Sequence, residues 1–227
     1  MKRYLPLLVA LFGFLILQPV AVTLSGANIP LNVLLYVLFV TAVYAVGPRK
    51  SLLIVAAGLV FVIVATRLLY EASPNVHLLM LMHGLSLALM VLVTVTMVSR
   101  VLVAREITAE IVIGAVCIYF IIGAAWTFLY FVLQVAAPGS MMVIPIVSQG
   151  NLIPQLEQYR FWEMLYFSMG ALSTMGFLST EALTPLARQL AVVEAIMGQM
   201  YVAVLIARIV ALSTASAMKS GQIESRP

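Results

Sequence analysis

The sequence predicts an all-α membrane protein of six transmembrane helices, with a re-entrant helix and loop between the last two. Three observations carry that prediction. Of the 227 residues, 64% are hydrophobic and 9% charged, with a mean hydropathy of +1.15; a soluble domain carries roughly a quarter charged residues. Six apolar runs approach or exceed the roughly 20 residues that a helix needs to cross hydrocarbon. Between the last two lies Phe161–Ser179, FWEMLYFSMGALSTMGFLS, whose helical-looking part, Phe161 to Leu172, is too short to cross and ends in a Ser/Thr/Gly turn. Non-helical backbone at membrane depth is tolerated only where protein buries it or where it lines a water-filled cavity, so such a loop points toward a permeation path.

The first run, Tyr4–Leu24, follows Lys2 and Arg3 and holds Pro6 and Pro19 near its ends. It reads as a retained signal anchor; a signal peptide is the alternative, with only a weak cleavage pattern at Ser25-Gly26-Ala27. Ile29–Val46 forms the second span and stops at Gly47-Pro48-Arg49-Lys50. The third, Leu52–Tyr70, ends with Arg67 and Glu71, four apart and placed to pair. The fourth, Val76–Val98, lacks the repeated Arg or Lys that a voltage-sensing helix needs. Its His77 and His83 are six apart, a spacing that does not put two ligands on one helical face, so no metal site is expected.

Arg100–Ala109, RVLVAREITA, reads as an amphipathic linker along the membrane surface. The fifth span runs from about Glu110 to Ala136, with Trp126 and Tyr130 as an interfacial aromatic face and Pro138-Gly139 as its stop. Ser140–Arg160, rich in Pro and Gln, is a turret-like extracellular loop, and the last span runs from Pro185 to about Ser213. Thr214–Pro227 is a flexible polar tail.

Charge placement sets orientation. Lys2, Arg3, Arg49, Lys50, Arg100, Arg105, Arg208, Lys219 and Arg226 fall on one side of six spans, leaving Arg67, Arg160 and Arg188 on the other. Both termini are thereby cytoplasmic in an inner (plasma) membrane and the loop enters from outside. Nothing supports nucleic-acid binding, catalysis or a small-molecule substrate; the expected surroundings are membrane lipids. The single Cys117, inside an apolar run, is a core residue.

Phe167–Leu212 resembles the pore half of prokaryotic six-transmembrane potassium channels of the voltage-gated-like superfamily. The signature of that family is a Thr-x-Gly-Tyr-Gly-Asp filter followed by an inner helix. Thr174, Met175, Gly176 and Phe177 occupy the first four filter positions, Phe167, Ser168, Leu172 and Ser173 suit the pore helix, and Thr184–Arg188, TPLAR, suits the inner-helix start. The resemblance covers about Ile107–Leu212 and is only architectural before that. It implies a homotetrameric pore in which carbonyl oxygens from four copies replace the hydration shell of a monovalent cation, potassium, with no cofactor. It divides the chain into a charge-poor peripheral bundle and linker (1–106), a pore domain (107–213) and a short cytoplasmic tail (214–227).

On this alignment Thr174 completes the innermost ion site and Met175 packs behind the filter. Leu178 stands in place of the family's second Gly and Ser179 in place of Asp, with Glu181 as a remaining negative charge at the outer mouth. A Cβ-bearing residue in left-handed backbone costs about 1–2 kcal/mol, so an unselective, differently selective or non-conducting homologue is an alternative; a transporter or structural membrane subunit is another. In the inner helix, Gly198 is either a gating hinge or a close-packing glycine. Val202, Leu205 and Ile209 form either an inner constriction or ordinary packing. Glu194, an intramembrane acid, is expected to hold the pore helix or a neighbouring span by hydrogen bonds, and Arg208 to reach the inner headgroups.

Overall fold

The computed structural model describes residues 4–25, 29–47, 50–104, 108–143, 156–176 and 180–224. Its helices are α1 (Leu5–Ser25), α2 (Ile29–Val46), α3 (Lys50–Ala72), α4 (Val76–Val103), α5 (Ala109–Ala136), α6 (Leu156–Leu172) and α7 (Pro185–Glu224), with two short strands, β1 (Met141–Val143) and β2 (Thr180–Ala182). Among the described residues, four stretches are long and apolar enough to cross a membrane: Lys50–Ala72, Val76–Val103, Ala109–Ala136 and Pro185–Thr214. Leu5–Ile16 and Val33–Val46 are shorter apolar stretches of α1 and α2.

Local sequence explains the helix starts. Asn75 caps α4, its Oδ1 accepting from the His77 N–H at 2.9 Å, and Thr108 caps α5, accepting from the Ile111 N–H at 3.3 Å. Thr184 caps α7 through the Ala187 N–H at 3.3 Å, with Pro185 in the first helical position. The expected pair forms on α3, with Arg67 Nε 3.0 Å from Glu71 Oε1.

The helix α5 is the hub, packed on α1, α4, α6 and α7. Its buried side includes the small residues Gly114, Ala115, Gly123, Ala124 and Ala125 beside Ile118, Ile121 and Phe128. In a bilayer, where lipid tails are as apolar as side chains, close backbone approach over small residues is what favours helix association. Cys117 is buried in this core, as expected, its Sγ 3.7 Å from Tyr4 O. His83 of α4 is buried against aromatic rings of α5 and α6, with its centroid 3.9 Å from Phe131 and 6.4 Å from Phe161.

Several sequence expectations are corrected. To the all-helical bundle the structure adds one short ladder: β1 and β2 pair antiparallel, Met141 opposite Ala182 and Val143 opposite Thr180, joining the segments after α5 and before α7. Arg100–Val103 is the last turn of α4 rather than part of an amphipathic surface linker, and Thr108 is already the α5 cap; Arg105–Ile107 lie outside the described residues. The helix α6 begins at Leu156, one turn before Phe161, because the polar run LEQYR continues the helical segment. Beyond Ser213, α7 continues to Glu224, since the small and polar residues there include no Pro to stop it.

Candidate functional site

The C-terminal end of α6 is held against the middle of α7. Gly198 lies about 20 Å along α7 from Pro185 at 1.5 Å per residue, and a Cβ built on Gly198 would overlap the carbonyl oxygen of Leu172, the last residue of α6. Only glycine permits that approach, within a continuous α7, so the close-packing role is what the static geometry displays. From Leu172 the chain must return to β2, which packs on the start of α7.

Residues 173–176 begin the return. The Thr174 N–H donates to Ala171 O at 3.0 Å and the Gly176 N–H to Gly170 O at 3.3 Å, closing the last turn of α6. Thr174 and Gly176 both have left-handed backbone, φ 57° and 67°. For Gly176 this carries no steric penalty; for Thr174 it costs about 1–2 kcal/mol. The Thr174 hydroxyl donates to Ser173 O at 2.7 Å and accepts from Gln199 Nε2 of α7 at 3.1 Å. These bonds help hold the strained residue. Gln199 was not singled out by the sequence; an amide next to Gly198 in the apolar stretch between Glu194 and Arg208 is the signal that could have found it.

Below this turn lies a buried polar cluster that joins three helices. Glu194 of α7, 0% exposed, accepts from Tyr130 Oη of α5 at 2.6 Å. Its Oε1 lies 2.5 Å from Ser168 Oγ of α6, and the same Oγ lies 2.8 Å from Gly123 O of α5. Glu194 thus holds both the short helix and a neighbouring span, as expected of it. Tyr130 is corrected: it is fully buried at this cluster and T-stacked on Phe167 at 5.1 Å, not part of an interfacial face, because its hydroxyl finds an acceptor inside the protein.

At the other end of the loop, the Thr180 hydroxyl lies 3.3 Å from Glu163 Oε2, bridging β2 to α6, and Arg188 Nε donates to Ala182 O at 2.9 Å, bridging β2 to α7. Glu181, between those two residues, is exposed and opposite Met142. Phe177, Leu178 and Ser179 lie outside the described residues. Met175 is 75% exposed in the single chain. Of the proposed constriction residues, Val202 is exposed and Ile209 half-buried, while Leu205 turns inward to a cavity shared with α4 and α5. Arg208 is also corrected: Nη2 donates to Ala104 O at 2.7 Å, which draws the side chain back into the protein. Among the described residues no group of three His, Cys, Asp or Glu is placed to hold a metal ion.

Residues 131–214 match the family model described as an ion channel. The match runs from the end of α5 through α6 and the loop to α7, and indicates an ion channel. No curated protein and no solved structure matches the chain.

Proposed function

We propose that four copies of this chain surround a central axis as a channel for passive monovalent cation flux, potassium being the permeant ion. The single observation that carries this reading is the seating of the α6 end and its left-handed turn at mid-depth of α7, fixed by Leu172 against Gly198 and by Gln199 on Thr174. Short helix and returning loop then form a re-entrant unit between two spans. The C-terminal end of α6 carries partial negative charge that favours a cation, and the residues after it supply oxygen ligands in place of water.

The tetramer is supported by α7. Val192, Ile196, Ile206 and Val210 are all more than half exposed in the single chain. That face is left for neighbouring copies or for the pore, in contrast to the buried α5. With α1–α5 and α7 as six spans, Lys50, Arg100 and Arg208 share the cytoplasmic side of a plasma membrane, both termini included, and Arg67 and Arg188 the other.

A second reading, weakly selective cation conduction, is favoured by Leu178 and Ser179 standing where the resembled family has Gly and Asp. Potassium and sodium flux into liposomes holding the purified protein separates the two. Potassium flux well above sodium supports selective conduction, equal fluxes support the second reading, and no cation flux above protein-free liposomes overturns both.

A further inference from the structure

Apart from the α6–α7 turn, the chain contains a partly open cavity of about 590 Å³ among α4, α5 and α7, within the range of about 300–1,000 Å³ that ligand pockets occupy. Its walls include Val91, Ile122, Trp126, Leu129 and Leu205, with Arg208 at the α7 end. The lining of α7 runs from Met197 to Arg208, about 16 Å of helix. The lining hydroxyls are already committed, Thr94 to Met90 O at 2.8 Å and Tyr201 to Ala115 O at 2.7 Å. Arg208 differs. Nη2 reaches Ala104 O, but the buried Nε has no hydrogen-bond partner among the described residues.

An elongated apolar cavity with an incompletely satisfied cation at one end matches one chemistry: a long hydrocarbon chain attached to an anionic group. We infer that the cavity among α4, α5 and α7 holds an acyl chain of an anionic phospholipid, whose headgroup phosphate accepts a hydrogen bond from Arg208. A guanidinium donor to phosphate is a strong charge-assisted contact, and a buried donor left without an acceptor is costly. The chain lies along helices in a bilayer, where such lipid is the surrounding solvent. This site is independent of whether the protein conducts ions.

The cavity contains its own reporter. The sequence has two tryptophans, so the full-length Trp162→Phe protein leaves Trp126 as the only one. In phosphatidylcholine nanodiscs containing increasing brominated phosphatidylglycerol, Trp126 fluorescence falls with a saturable component that exceeds the quenching by brominated phosphatidylcholine at equal mole fraction. Arg208→Gln weakens the apparent affinity of that component about tenfold. Val91→Phe with Val98→Phe, which narrows the cavity and leaves Arg208 in place, removes it. Quenching that is linear and equal for the two lipids overturns the assignment, as does a saturable component that survives both variants. So does an absence of quenching, the result expected if a neighbouring copy fills the cavity.

Discussion

Replacing Glu194 tests how the short helix is held. Ser168 has one hydroxyl proton and two acceptors in reach, Gly123 O at 2.8 Å and Glu194 Oε1 at 2.5 Å; Tyr130 supplies the other proton, to Oε2 at 2.6 Å. All three contacts close as hydrogen bonds only if residue 194 itself donates one proton to Ser168 Oγ. A glutamine can do so: its NH₂ donates to Ser168, its oxygen accepts from Tyr130, and Ser168 keeps Gly123. Glu194→Gln therefore leaves stability within about 0.5 kcal/mol. Glu194→Leu strands the Tyr130 hydroxyl in the core and removes the Ser168 contact, at a cost of about 1–3 kcal/mol, the lower part of that range being typical of hydrogen bonds between membrane helices. Reversible unfolding in mixed detergent micelles, followed by circular dichroism, measures both. A double-mutant cycle of Tyr130→Phe with Glu194→Leu should return a coupling near 1 kcal/mol. A Gln variant as unstable as the Leu variant, or a coupling of zero, would refute the three-helix cluster.

Three further outcomes follow from the same packing. Gly198→Ala drives a methyl onto Leu172 O and should destabilise the protein by about 1–3 kcal/mol; unchanged stability with altered gating in bilayer recordings would instead identify a hinge. Gln199→Leu removes the hydrogen bond that α7 donates to Thr174. It should change the ratio of potassium to sodium flux while costing only about 1 kcal/mol in thermal unfolding, and an unchanged flux ratio would separate Gln199 from the ion path. His83→Leu replaces a buried ring whose Nδ1 has no partner among the described residues, amid Phe128, Phe131 and Phe161. It should be neutral or mildly stabilising, since removing an unsatisfied buried polar atom relieves its desolvation cost, and a loss above about 2 kcal/mol would expose a missing partner.

Much of this architecture was legible in the sequence because the bilayer restricts the options. Apolar runs bounded by Asn75, Thr108 and Thr184-Pro185 specify where helices begin, and these caps form as their chemistry requires. The unusual shortness of the segment before Ser173 and the presence of Glu194 in a mostly apolar helix marked the place where α5, α6 and α7 are joined by hydrogen bonds. What pairwise spacing could not give was long-range partnership. Tyr130 and Trp126 are four apart and look interfacial, yet Tyr130 is turned inward by an acid 64 positions later. Arg208 looks like a headgroup anchor until Ala104 O is found beside it. Two three-residue strands are too short to show an alternating pattern, and their pairing depends on both loop ends meeting near α7.

The claim that ions pass the turn after α6 is tested most directly at Thr174, whose side chain is exposed in the single chain. Full-length protein carrying Cys117→Ala and Thr174→Cys is reconstituted in a planar bilayer, and the potassium current is recorded before and after addition of a cationic methanethiosulfonate reagent. Conduction through this loop requires the current to fall as residue 174 is labelled, while the Cys117→Ala parent is unaffected. A current that persists unchanged when mass spectrometry finds Cys at position 174 fully modified would contradict it.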